Sequence, residues 1–123
     1  MNSKRILVTG AAGFIGFHVT RLLLQENHEV YGIDNINDYY STSLKNDRLD
    51  ILKTKKNFKF SKIDISNHDD LSQVFNNFKP EIVLNLAAQA GVRYSLENPF
   101  AYVNSNLIGF VNIIELCRRN KVE

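Results

Sequence analysis

Apolar residues follow two rhythms along this chain. Residues 5–9 (RILVT), 29–33 (EVYGI) and 81–86 (EIVLNL) are short, largely apolar runs, and 58–63 (FKFSKI) alternates apolar with polar. These are the patterns of buried and half-covered strands. Between them apolar positions recur at helical spacing. Ile15, Val19, Leu22 and Leu23 mark a helix over 14–25, Leu44, Leu49, Ile51 and Leu52 one over 41–55, and Leu71, Val74 and Phe75 one ending at Phe78. Asn27 and His28 break the first helix, Ser66 or Asn67 caps the third, and Pro80 follows it. Residues 35–40 (NINDYY) are turn-rich, and 89–98, with Gly91, Arg93 and Tyr94, read as a loop. Asn98 before Pro99 opens a last helix over 99–119.

That last helix holds more apolar surface than one neighbour needs. Phe100, Val103, Leu107, Phe110, Val111, Ile114 and Cys117 form a broad stripe, expected to cover the sheet. Tyr102, Ile113 and Leu116, with Gly109 between them, form a second face that asks for another helix, from this chain or a second copy. Strand–helix alternation predicts an α/β fold, a Rossmann-type parallel sheet with helices on both faces, right-handed crossovers and strand order 3-2-1-4, all one domain over 1–123.

Composition adds bounds. Of 123 residues, 44% are hydrophobic and 23% charged, with net charge +2, ordinary values for a globular domain. The basic residues are scattered without interleaved aromatics, so no nucleic-acid surface is expected. No apolar stretch reads as a leader or a membrane span. The single cysteine, Cys117, fits a reducing cytoplasm and reads as a small core residue rather than a nucleophile. His18, His28 and His68 are dispersed, without metal-ligand spacing.

The densest chemical signal lies where the first strand meets the first helix. Gly10, Gly13 and Gly16 recur every third residue after Ile6, Leu7, Val8 and Thr9. Gly10 permits the tight turn, Gly13 lets backbone approach a diphosphate, and Gly16 lets the helix lie close to the strand. The helix N-terminus then offers free amides and the positive dipole end. Asp34, 18 residues after Gly16 at the end of the second strand, is placed to accept the adenosine ribose hydroxyls and to repel a 2′-phosphate. That favours NAD over NADP. Its alternative is a plain turn or capping residue. Asp64 and Ile65 could bracket an adenine, or Asp64 could merely end its strand. Tyr39 and Tyr40 either line the adenosine end or pack on the surface. Ala87 and Ala88 are small enough to pass beside a ligand. The strand order brings 10–16 and 86–88 to one cleft.

These stretches carry a resemblance. VTGAAGFIG, YGIDNINDYYSTSLKNDRL, the Asp64-Ile65 pair, NLAAQAGVRYSLENPFAYVNSN and NLIGFVNIIELCRR make the chain resemble the N-terminal portion of the extended short-chain dehydrogenase/reductase family. Within it the likeness is to NAD-dependent nucleotide-sugar epimerases, and AAQAGVRYS followed by ENP points to UDP-glucuronate 4-epimerases. The resemblance implies that Gly10, Gly13, Phe14 and Ile15 contact the diphosphate of NAD, with Asp34 on the ribose and Asp64 and Ile65 on the adenine. It implies that Leu86, Ala87 and Ala88 run beside the cofactor, that Asn106 orders that side, and that Arg93 either meets the sugar carboxylate or diphosphate of a nucleotide sugar or stays solvated. It also implies a cytoplasmic enzyme of polysaccharide biosynthesis.

The family's chemistry needs a tyrosine with a lysine four residues later. After Tyr31, Tyr39, Tyr40, Tyr94 and Tyr102 that position holds Asn35, Ser43, Leu44, Asn98 and Asn106. No catalytic residue is therefore assigned, and these residues alone are expected to be inactive. A 4,6-dehydratase, a decarboxylase or a non-catalytic NAD-binding module are the alternatives. An open side of the fourth strand and the unmatched helix face predict self-association, as a homodimer or otherwise.

Overall fold

The computed structural model describes residues 2–123. Strand β1 (Arg5–Thr9) leads into α1 (Phe14–Gln25), β2 (Glu29–Asp34), α2 (Thr42–Lys53), β3 (Phe58–Lys62), α3 (His68–Phe78) and β4 (Ile82–Asn85). All strand pairs are parallel, in the order β3-β2-β1-β4, as the alternation predicts. β1 lies between β2 and β4, so Leu7 and Val8 are sealed on both faces. One core layer sets Ile6, Val8, Phe17 and Leu24 against Leu49, Leu52 and Phe58; the other sets Leu7 and Ile33 against Leu71, Phe75, Ile113 and Leu116.

Local chemistry sets the element ends. The Ser41 hydroxyl accepts the amide of Leu44 and caps α2, so that helix is shorter than the predicted 41–55. Asn67 caps α3 through the amide of Asp70, and Asn98 accepts the amide of Ala101 ahead of Pro99.

Several expectations change. The predicted 89–98 loop contains a short helix, α4 (Val92–Glu97). After it, α5 (Pro99–Tyr102), a π-helical stretch (Val103–Ile108) and α6 (Gly109–Asn120) run on as one helix. The faces of this long helix are the reverse of those predicted. Gly109, Ile113 and Leu116 are buried, while Phe100, Val103, Leu107, Phe110, Val111 and Ile114 are exposed. The cause is steric: a side chain at Gly109 would strike Ile65, so only the glycine face can approach the core. In α1 likewise the buried face is Gly16, Phe17, Thr20 and Leu24, and Ile15 and Leu22 stay exposed.

Pro99–Asn120 also spans 22 residues with mean hydropathy 1.3 in its most apolar window, so one stretch does reach membrane-crossing length. Two of its asparagines bond to backbone outside the helix (Asn106 to Gln89, Asn112 to Ile65), and a single such helix is weak evidence for a span. The free side of β4 is partly occupied: Glu123 accepts from the amide of Val83 and donates to the carbonyl of Glu81.

Candidate functional site

A cavity of about 530 Å³ opens at the carboxyl ends of the strands. This is where the strand order reverses direction about β1, the place where open α/β sheets take ligands. Gly10 has φ +71°, a left-handed conformation that a side chain disfavours, and a Cβ there would meet Leu86 and Ala87 backbone at 2.9 Å. The glycine turn and the end of β4 can therefore touch. Thr9 fastens them: its hydroxyl donates to Asn85 Oδ1 (2.5 Å) and accepts the amide of Ala87 (3.0 Å). A Cβ at Gly16 would collide with the Gly10 carbonyl, so the turn cannot close as it does with any other residue there.

Gly13 is the N-cap of α1, and no side chain caps that helix. Gly13, Phe14 and Ile15, the cap and first residues of α1, border the cavity. An uncapped helix start beside an open cavity leaves amide donors and the positive end of the helix dipole available to an anion. A diphosphate fits this lining because no side chain caps the helix start, and Gly10, Gly13 and Gly16 bring to the cavity border a tight turn that Cβ contacts with the backbone of Leu86, Ala87 and Gly10 would otherwise forbid.

Asp34 sits at the tip of β2, only 9% exposed, and borders the cavity. Its Oδ2 accepts the amide of Ala12 (3.1 Å) and its Oδ1 the amide of Ile36 (2.8 Å). It is thus a turn-holding residue as well as a cavity carboxylate; two lone-pair sites remain for further donors. Asp64 lies across the cavity. Burial raises its pKa, but the amide and hydroxyl of Ser66 and the side chain of Asn35 outweigh it and hold the carboxyl below its ordinary value. Ile65 borders the cavity while its side chain lies beneath Gly109, so core packing is its main contact.

Leu86, Ala87 and Ala88 form the wall under β4. Asn106, from the π-helical stretch, accepts the amide of Gln89 (2.8 Å) and donates to its carbonyl (3.0 Å), which orders the segment after that wall. Asn106 is not itself in the lining, but its neighbour Ser105 is. Arg93 is exposed on α4 and does not line the cavity.

Sequence reasoning passed over part of the wall. Asn35, Asn37, Ser41, Leu44, Lys45 and Arg48 line it, and Tyr39 and Tyr40 belong to it rather than to an unrelated surface. Tyr39 stacks on Tyr94 with centroids 4.8 Å apart, and Tyr102 donates to the carbonyls of Ala90 and Gly91, so aromatic contacts join the two sides of the mouth. Leu44, Lys45 and Arg48 lay in a helix whose apolar pattern gave no sign of which face looked inward.

A family profile described as GDP-mannose 4,6 dehydratase matches residues 7–123. Protein CapI of Staphylococcus aureus is 55% identical over 119 residues, covering 97% of this chain and 35% of that protein. A UDP-glucuronate 4-epimerase of Thermodesulfobacterium geofontis is 51% identical over 112 residues, covering 91% of this chain and 35% of the relative. The crystal structure of UDP-glucuronic acid 4-epimerase from Bacillus cereus, in complex with UDP-glucuronic acid and NAD, matches with TM-score 0.82 at 37% identity, over 92% of this chain and 36% of that one. The chain thus spans about 35% of the length of the curated relatives it matches.

Proposed function

Because this chain belongs to the GDP-mannose 4,6 dehydratase family, we propose that its cavity binds NAD and serves as the cofactor-binding part of a nucleotide-sugar 4-epimerase. The substrate class in this reading is UDP-glucuronate and UDP-galacturonate. The observation that carries it is the uncapped start of α1, bordered by Gly13, Phe14 and Ile15, in one cavity with Asp34. The relatives named as UDP-glucuronate 4-epimerases support the substrate class.

When bound, NAD supplies reversible hydride acceptance at the sugar C4. The chain's own residues do the rest of the holding. The amides at 13–15 receive the diphosphate; Gly10 and Gly16 let the turn fold tightly enough to present them. Asp34 takes the adenosine ribose hydroxyls with its remaining lone pairs, and its charge disfavours a 2′-phosphate. Asp64 faces the adenine amino group, with Ile65 beside it. Leu86, Ala87 and Ala88 flank the nicotinamide half, ordered by Asn106 through Gln89. Arg93, exposed on α4 outside the cofactor cavity, is the cation offered to the carboxylate or diphosphate of the sugar nucleotide.

No tyrosine here has a lysine at the fourth position beyond it, so the proton acceptor for the sugar hydroxyl is not assigned among these residues. We propose that they bind cofactor without turning over substrate, and that the exposed stripe of Phe100, Val103, Leu107 and Phe110 supports a homodimer.

Calorimetry with NAD and NADP tests the cofactor assignment. NAD is expected to bind and NADP to bind at least roughly tenfold more weakly, the effect of one unfavourable charge contact. Absence of NAD binding overturns the reading, and equal affinity for NADP overturns the role of Asp34. A coding sequence continuing beyond Glu123 into a Tyr-x-x-x-Lys segment supports the epimerase; a stop there favours a non-catalytic NAD-binding module. Sedimentation showing only monomer at high micromolar concentration removes the homodimer.

A further inference from the structure

Two cations of α2 grip the two loops that build the adenosine end of the cavity. Arg48 Nη1 donates to the carbonyl of Ala12 in the glycine turn (3.0 Å). One helical turn earlier, Lys45 Nζ donates to the carbonyl and side-chain oxygen of Asn37 (2.9 and 3.0 Å), in the loop after β2. Lys45 is only 6% exposed and holds no carboxylate partner among the described residues. A buried ammonium kept on neutral acceptors is costly to desolvate and is retained where those acceptors need holding.

The same two loops are held from the other side by Asp34, which accepts the amides of Ala12 and Ile36. Residue Ala12 is therefore fastened on both sides, its N–H by an anion and its C=O by a cation. The second loop needs the grip: Ile36, a β-branched residue, sits at φ +53°, a conformation that such residues adopt only under surrounding constraint.

We infer that Lys45 and Arg48 are positioning residues, which hold the glycine turn and the β2–α2 loop in their ligand-receiving shape by way of backbone carbonyls. This rests on the proposed dinucleotide site. The grip makes the cradle preorganised, so that the ligand does not spend binding energy on ordering it. A purely attractive role, drawing in an anionic ligand by charge, is the rival.

The test has two arms. In the ligand-free protein, hydrogen exchange is compared between wild type and Arg48→Met. Faster exchange confined to the amides of 10–16, with the melting temperature little changed, is expected, and guanidinium added to the variant restores protection. In the second arm NAD is titrated into both. The variant is expected to bind roughly tenfold more weakly at any salt concentration, the worth of one charge-assisted hydrogen bond. Unchanged exchange overturns the inference, and so does a loss of affinity that disappears at high salt, which is the mark of simple charge attraction. If wild type fails to bind NAD, the cofactor reading falls while the exchange arm still decides the clamp. Should Arg48→Met not fold, Lys45→Met with exchange read at Ile36 and Asn37 makes the same comparison.

Discussion

Helix α1 and the long helix Pro99–Asn120 both carry apolar side chains on more than one side, and both bury the side that holds a glycine. In α1 it is Gly16 with Phe17, Thr20 and Leu24; in α6 it is Gly109 with Ile113 and Leu116. A helix approaches its support most closely where a side chain is missing, so the glycine marks the inward face better than the largest apolar stripe does. The two helices differ in how they meet the cavity. α1 arrives end-on and offers backbone amides, which need only a glycine turn and an uncapped terminus. The long helix arrives side-on and must turn Ser105 toward the cavity and Asn106 onto the backbone of Gln89 while Gly109 faces the core. The π-helical stretch Val103–Ile108 lies between those tasks and changes the angular phase of the helix. End-on contact is a local property of the chain; side-on contact is a property of the packing.

That contrast can be broken at α1 with the largest effect. Gly16→Ala puts a methyl against the backbone of Gly10, and backbone cannot yield as a side chain does. A loss of about 3 kcal/mol or more is expected in denaturant unfolding, together with loss of NAD binding. A tolerated alanine there would mean that close approach does not choose the face.

On the side-on helix, Asn106→Leu leaves the amide and carbonyl of Gln89 unpartnered. Each costs about 1–3 kcal/mol if it stays dry, and weaker NAD binding should accompany the loss. Thermal melts and calorimetry on one variant check both.

Gly109→Ala meets Cγ1 and Cδ1 of the Ile65 side chain, with the Asn104 carbonyl at ordinary contact distance. About 1 kcal/mol of net destabilisation is expected, since overpacking is offset by the better helix propensity of alanine. In an Ile65→Ala background the same change should be neutral or stabilising, and a double-mutant cycle reads the difference. If the cost persists without Ile65, another contact chooses the face.

The smallest effect concerns acid. Asp64 has its pKa lowered in the folded state, so its contribution is present above the ordinary carboxylate value of 3.8 and lost as pH falls through the lower native value. Melting curves of wild type and Asp64→Asn should differ near neutrality and converge on acidification. A gap that widens in acid would reverse the sign. The Ser66 and Asn35 contacts are largely solvent-exposed, so the difference should be slight.

Much of the site was legible because its chemistry is local. A strand, glycines every third residue and a helix must produce the turn, and Asp34 at the end of the next strand must arrive beside it once the strands pair in parallel. The start of α3 at Ser66 or Asn67 and the helix start at Asn98-Pro99 were legible for the same reason, and the structure puts the caps on Asn67 and Asn98. Lys45 and Arg48 were not legible: they sit on a helix of weak amphipathicity, and apart from the Asn37 side-chain oxygen their acceptors at Asn37 and Ala12 are backbone carbonyls, which any sequence possesses. Arg93 was placed by the sequence in a loop; it lies exposed on a short helix, outside the lining of the cavity.

The sequence by itself determined the order of elements, the parallel sheet, the tight turn at Gly10 and the carboxylate that meets it, because backbone sterics and strand periodicity act over a few residues. Only the tertiary structure decided which face of each helix turned inward, which cations of α2 reached the cavity loops, and that a helix rather than a loop carries Arg93. Those outcomes depend on which surfaces arrive close enough to exclude a side chain, and that distance is set by residues far apart in the chain.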